Sequence, residues 1–244
     1  MITLIDTKIG SGLSSAPSVD KPVGNSGDLL VVLISYNALP TVTDNNGGTP
    51  TTENLEFDIR GSGAGGGGIA VYTRVIGASE PATYNFTLST SNRWTIVAFL
   101  VRGQHEDIFD ISPAESSNVT TGTSVICDSI TTLTDNAMVI ALATLDGSAV
   151  NFETGSPGGD WEELATANIQ QPIKVAYLMK SSAGATGDRS LSTVSSIGIA
   201  GLKQFSIKSA VTSNIKSING LAKASIKSRN GLAIASIKSI NGLE

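Results

Sequence analysis

The sequence predicts an all-β protein: an antiparallel, jelly-roll-like β-sandwich built from two similar halves, followed by a short repeat tail that is also β. Three observations lead there. The stretch from Gly68 to Gly103, GIAVYTRVIGASEPATYNFTLSTSNRWTIVAFLVRG, is answered later by Ile173 to Lys208, IKVAYLMKSSAGATGDRSLSTVSSIGIAGLKQFSIK. In each copy a strand-like run (Ile69 to Ile76; Ile173 to Met179) passes a small-residue bend (Gly77, Ala78 and Ser79; Ser182, Ala183 and Gly184) and enters two more apolar runs. An upstream strand is doubled too, with Gly27 to Ile34 answering to Asp135 to Leu142, each a polar turn opening into a nearly continuous apolar run. Composition agrees: 15% charged residues, 5% aromatic and 26 glycines suit many short strands joined by tight turns. At 244 residues the chain is long enough to bury a core. The reading divides it into a body, 1–208, with halves of about 1–105 and 106–208, and a tail, 209–244.

In chain order, Ile2 to Ile9 reads as the first strand, then a Gly/Ser/Pro connection leads to a buried strand from Leu29 to Tyr36. Asp44 to Gly48, DNNGG, is a turn; the position at which an EF-hand places its closing carboxylate is Leu55, so the calcium ligand set is incomplete. Gly61, Gly63 and Gly66 have dinucleotide spacing, but the segment that follows is the β-branched run at Ile69, not a helix that would receive a pyrophosphate. A hairpin loop is the better account. Between the halves, Gln104 to Asp110 holds His105, the one histidine, among Glu106, Asp107 and Asp110; the segment reads as a solvated crossing, not a catalytic or metal cluster. Glu162 and Glu163 head another strand, where neighbours point to opposite faces and cannot both line one cleft. Cys127, the one cysteine, falls in a strand-like run and reads as a buried thiol. Trp94 and Trp161 read as core residues, with carbohydrate stacking as the functional alternative.

Charge is divided. Residues 1–202 hold 9 basic and 20 acidic side chains, a net −11, while residues 203–244 hold 7 and 1, a net +6. The basic residues of the tail are dispersed and lack aromatic stacking partners, so nucleic acid is not the expected partner. The start, MITLIDTKIG, has no basic and apolar signal pattern, and no run reaches the ~18 apolar residues of a membrane span. Neither export by a signal peptide nor a membrane anchor is expected.

The series GDLLVVLISYN, IAVYTRV and SEPATYNFTLSTSNRWTIVAFLVRG, with DNAMVIALATLDG, DWEEL and KVAYLMKSSAGATGD in the second half, resembles a β-sandwich module of bacteriophage virion proteins. The family is met most often in minor tail proteins, and also in some bacterial surface proteins. The resemblance covers about residues 20–208, and its most particular elements are Glu80-Pro81, Tyr84, Phe86, Trp94 and Arg102-Gly103. It departs at Asn54 to Phe57, where the family shows a Gly-Trp-Thr segment. The family pattern places no catalytic residue on this chain.

From Ile215 the chain reads IKSINGLAKAS, IKSRNGLAIAS, IKSINGLE, a period of 11 marked by Ile215, Ile226 and Ile237. Similar arrays occur at the C-termini of phage and environmental bacterial proteins. A helix would put Ile215, Ile218, Leu221 and Ile226 on one side. Strands would use Asn219-Gly220, Asn230-Gly231 and Asn241-Gly242 as hairpin turns, and the glycine in every repeat favours them. So short a segment buries too little surface to fold alone and needs a partner. The candidate oligomerisation or docking residues are Ile215, Ile218, Leu221, Ile226, Leu232, Ile234, Ile237, Ile240 and Leu243.

The resemblance thus implies a structural component of a phage virion, found in the particle after assembly in the host cytoplasm. A tail fibre, appendage or minor tail protein leads, a capsid cement or decoration protein is the close alternative, and a carbohydrate-binding module is the third. The expected partners are copies of the chain itself, a trimer first, together with other virion proteins and a host surface glycan. No catalytic residue, cofactor or metal site is expected.

Overall fold

The computed structural model describes residues 1–37, 42–44, 54–60, 68–111, 122–145, 159–197, 200–210, 217–218, 221–222, 228–229 and 232–233, and among them there are strands and turns but no helix. The first half contains β1 (Thr3–Ser14), β2 (Ser18–Asp20), β3 (Leu29–Tyr36), β4 (Val42–Asp44), β5 (Asn54–Arg60), β6 (Gly68–Val75), β7 (Thr83–Leu88) and β8 (Asn92–Arg102). An apolar run such as β3 has no polar face to give to water, so both its faces must be covered. All eight of its residues are buried. The chain achieves this by placing β3 centrally in a sheet of order β1-β8-β3-β6-β5 and laying a smaller sheet, β2-β7-β4, over one face. Strands 1, 8, 3 and 6 in one sheet and 2, 7 and 4 in the other interleave as in a jelly roll, with β5 added at the β6 edge.

The second half repeats the plan with β9 (Gln104–Ile111), β10 (Gly122–Cys127), β11 (Thr131–Thr132), β12 (Ala137–Leu145), β13 (Glu162–Ala167), β14 (Ile173–Lys180), β15 (Gly184–Ala185), β16 (Arg189–Ile197) and β17 (Ala200–Ser209). Its large sheet runs β9-β17-β12-β14-β13, the same order position by position as the first. Smaller antiparallel pairs, β10 with β16 and β11 with β15, complete it.

Register refines the sequence comparison. Ser35 lies opposite Ile69, and Thr144 lies opposite Ile173. With Ile69 and Ile173 equivalent, Ser35 matches Thr144 and Leu29 matches Met138. The alignment of Gly27 to Ile34 on Asp135 to Leu142 is therefore one residue out, a slip that exchanges the two faces of a strand. In the corrected frame Val31 beside Phe99 is repeated by Ile140 beside Phe205.

The two large sheets face each other. Leu29, Val31, Leu33, Val97, Phe99 and Val101 from the first meet Met138, Ile140, Leu142, Val175, Phe205 and Ile207 from the second in one buried cluster. Their outer faces pack separately: Leu30, Val32 and Ile34 against Tyr84, Phe86 and Leu88 of β7, and Val139, Ala141 and Ala143 against Cys127 of β10 and Leu191 of β16. The body is thus four layers deep, each half being a sandwich in its own right. The outer cores differ in build, since the first uses Tyr36, Tyr72, Tyr84, Phe86 and Trp94 where the second uses alanines around Trp161.

Two boundaries differ from expectation. The first strand runs past Ile9 to Ser14 because Gly10 and Gly12 let it: a Cβ at Gly10 would lie 2.4 Å from the Ser18 carbonyl oxygen, and one at Gly12 would lie 2.6 Å from the Trp94 ring. The halves meet at Gly103, whose φ of +90° and closeness to the Met1 carbonyl oxygen admit only glycine. The segment after it is strand β9, paired with β17, and not a crossing loop.

The chain separates into two compact units, Met1–Ser209 and Ala210–Glu244. In the second, β18 (Ser217–Ile218) pairs with β19 (Leu221–Ala222), and β20 (Ser228–Arg229) with β21 (Leu232–Ala233). Ser217 opposite Ala222 and Ser228 opposite Ala233 are the same register one repeat apart. In these segments the repeat is β and not helical.

The central contact predicts a large mutational effect. Ile140→Ala removes a fully buried side chain between the two large sheets and should cost about 2–5 kcal/mol of unfolding free energy, measured by urea denaturation.

Candidate functional site

Each group that offered chemistry in the sequence has a definite place. His105 lies on β9, the edge strand of the second large sheet. Its Nδ1 accepts the Asp107 N–H at 2.9 Å and lies 3.7 Å from Asp107 Oδ2, which in turn is 3.6 Å from Lys208 Nζ. Asp110, from the same run, points elsewhere and accepts the Leu133 N–H at 2.7 Å. The apparent acid and histidine cluster is therefore split across the strand. Among the described residues no group of three or more His, Cys, Asp or Glu side chains is placed to hold a metal ion.

Glu162 and Glu163 open β13 and diverge as strand neighbours must. Glu162 accepts a hydrogen bond from the Tyr177 hydroxyl, and burial followed by this carboxylate pushes the Tyr177 pKa up to about 12. Glu163 pairs with Lys174 at 3.4 Å, holding a lysine that is almost wholly buried. Glu162 is thus engaged by a phenol and Glu163 by an ammonium group. Trp94 and Trp161 are each 5% exposed, and Trp94 Nε1 donates to Ser14 Oγ at 3.1 Å. An indole so covered offers no face to a sugar ring. Cys127 is buried, donates to the Leu142 carbonyl at 3.5 Å, and has its pKa pushed up to about 12 by burial. A thiol held neutral in this way is a poor nucleophile.

The residues singled out by the family resemblance prove to be structural fastenings. Arg102 donates from Nε to Asp28 Oδ1 at 2.7 Å and from a terminal nitrogen to Oδ2 at 2.9 Å, while the Asn25 N–H donates to Oδ2 at 2.8 Å. The Arg102 guanidinium, opposed by burial and helped by the Asn25 amide, holds the Asp28 carboxyl below its ordinary value of 3.8. Glu80 accepts from the Gly77 N–H at 2.6 Å and from the Tyr84 hydroxyl at 3.0 Å, and it pairs with the buried Arg74, which also lies over the Tyr84 ring. This Glu80, Arg74 and Tyr84 cluster ties the β6–β7 bend to the core. Its arginine lies inside a run of apolar residues, and only the later Glu80 hints at a partner.

A second polar group leaves no mark in the sequence. At one end of the inter-sheet core, Ser35 of the first half hydrogen-bonds Thr144 of the second. Thr95 Oγ1 donates to the Ile169 carbonyl at 2.7 Å, and Thr144 Oγ1 donates to the Pro172 carbonyl at 3.0 Å. Gln171, fully buried, donates through Nε2 to Thr144. The bonds from Ser35 and Thr95 cross between halves, so they fix how the two sheets are aligned; the four side chains are three hydroxyls and an amide, with no titratable group among them to activate a hydroxyl.

Of the candidate docking residues in the tail, Ile218 and Leu221 are paired with each other across β18 and β19, and Leu232 of β21 lies opposite Arg229. Ile215, Ile226, Ile234, Ile237, Ile240 and Leu243 lie outside the described residues, as do the turn at 45–48 and Gly61, Gly63 and Gly66. No family model, curated protein or solved structure matches the chain.

Two measurements check these assignments. Because the folded pKa of Asp28 is depressed, its pairing stabilises the fold above the ordinary value of 3.8 and is lost as pH falls through the lower folded value. Asp28→Asn should melt at a lower temperature than the parent at pH 7, with the difference shrinking as the pH is brought to 3. His105→Ala should leave the melting transition and self-association unchanged, within about 0.5 kcal/mol of stability, by calorimetry and light scattering.

Proposed function

We propose that this chain is a structural component of a bacteriophage virion, situated in the tail as a fibre, appendage or minor tail protein. The body serves as a rigid globular building block and the repeat tail as its means of association. The observation that carries this reading is the joining of a duplicated, densely packed body to a separate unit of hairpins repeated in one register. Hairpins with two-residue strands are marginal in water unless another surface covers them. The opposite net charges of residues 1–202 and 203–244, −11 and +6, favour contacts between copies.

The uses made of the polar side chains support a structural role. Asp28, Arg74, Glu80 and Arg102 are spent on fastening the fold, and Tyr177 and Lys174 hold the two glutamates of β13. Jelly rolls occur in both capsid and lectin domains, so the fold alone leaves those classes open. Burial of both tryptophans argues against aromatic sugar stacking through Trp94 or Trp161. The homo-oligomer proposed is a trimer held by residues from about Asn214 onward, with the Ile and Leu positions supplying most of the stability, since exposed charge pairs contribute only ~0–1 kcal/mol each.

Antibody-gold electron microscopy of purified particles tests the assignment. Label on the tail is the expected result, label over the head would make the chain a decoration protein, and unlabelled particles would overturn the proposal. Truncation after Ser213 should leave a folded body that no longer forms the trimer, by light scattering; a full-length chain with the same oligomeric state as the truncation would sink self-association through the tail.

A further inference from the structure

We propose that the outer edge of β1 is a second, independent contact, at which two copies of the body pair antiparallel about a twofold axis centred on Ser11. β1 is an edge strand of 12 residues, and among the described residues no strand bonds its outer side. Long free edges are normally blunted by charge. β9 carries Glu106, Asp107 and Asp110, and β13 opens with Glu162 and Glu163. The sequence of β5, NLEFDIR, likewise holds three charges. From Ile9 to Ser14, β1 carries none. Instead it exposes two large apolar side chains, Ile9 at 47% and Leu13 at 66%.

The position of these residues makes the strand complementary to itself. Ile9, Ser11 and Leu13 lie opposite Val97, Thr95 and Arg93, on the side of the first sheet that faces the second. An antiparallel partner centred on Ser11 puts Ile9 of each copy opposite Leu13 of the other, Gly10 opposite Gly12, and Lys8 opposite Ser14. Both exposed apolar residues are thereby covered reciprocally, as the isologous geometry of a twofold requires. Ile169, 55% exposed, accepts a hydrogen bond through its carbonyl from Thr95, the residue opposite Ser11. The register also sets no like charges opposite each other. The same operation on β9, whichever residue lay at its centre, would draw together strands that each carry three carboxylates, an unfavourable arrangement. The opposite face of β1 is already filled, since Gly10 and Gly12 abut Ser18 and Trp94, so a partner strand has to enter at the edge. This contact involves only the body and does not depend on the tail.

Disulfide trapping in the full-length chain tests it. A residue on the twofold lies opposite its own copy, at a Cα separation of ~4.5–5.5 Å that suits a disulfide. Cys127 is buried and does not compete. Ser11→Cys should form a linked dimer under mild oxidation roughly tenfold or more faster than Thr3→Cys, which the same register leaves without a self-contact. Adding Leu13→Lys, or separately Ile9→Lys, should bring the rate down to the Thr3→Cys level with no change in melting temperature, both sites being exposed. Because both bodies are acidic, the Ser11→Cys rate should rise with added salt. Equal rates for Ser11→Cys and Thr3→Cys, or no effect of either lysine, would overturn the proposal. A rate that falls with salt would also overturn it, by assigning the encounter to attraction between the basic tail and the acidic body.

Discussion

The contact between the two large sheets is the constraint on which the rest of the body depends. Each sheet has a central strand buried on both sides, β3 in one and β12 in the other. Neither half could leave its inner face in water, because that face presents Val31 and Phe99 in one case and Ile140 and Phe205 in the other. The hydrophobic stabilisation there scales with the apolar area removed from water and does not itself specify direction. Alignment comes from the polar end of the interface, where Ser35, Thr95, Thr144 and Gln171 must find partners once buried. Apolar burial holds the halves together and the hydroxyls decide how they are set.

Much of this was legible in the sequence, and the parts that were not have identifiable causes. β3 was placed to the residue because an uninterrupted apolar run between polar turns, rich in Val and Ile, is too short for a helix and too apolar for a loop. The duplication was visible for the same reason, in IAVYTRV and IKVAYLM. The register between β3 and β12 was not, because a strand buried on both sides shows no alternation from which to read which residues face inward. Leu29 could stand for Ala137 or Met138 until the cross-strand partners were known. β9 was hidden for the opposite reason: as an edge strand it carries so much charge, in His105, Glu106, Asp107 and Asp110, that it reads as a loop. The fourfold layering follows from a count of buried faces that no single strand discloses.

The polar fastenings show a similar division. Asp28 with Arg102 joins residues 74 positions apart, and Glu80 with Arg74 spans only the bend by which the chain passes from β6 in one sheet to β7 in the other. The residues were conspicuous in the sequence as part of a family resemblance, yet their pairing is a property of topology: β3 and β8 are neighbours only because the jelly roll interleaves its strands. In the tail the expectation of strands rested on a local signal, the Asn-Gly dipeptides of the repeat, and the described residues pair antiparallel, Ser217 with Ala222 and Ser228 with Ala233. Local chemistry specified the short hairpins, and long-range packing specified the body.

The single-residue link at Gly103 has a consequence for the origin and folding of the body. Two halves with one strand order, packed through equivalent faces, are what tandem duplication of a gene for a self-pairing sandwich would leave. Pairing of the halves is here an intramolecular event, governed by the effective concentration that so short a tether imposes. The joined chain no longer loses its fold on dilution, as an obligate dimer does. It is also released from symmetry. Once the two copies of the surface are encoded separately, one can fill its outer core with tyrosines while the other packs alanines around a single tryptophan, and one edge can collect carboxylates while the second half of its counterpart carries no charge.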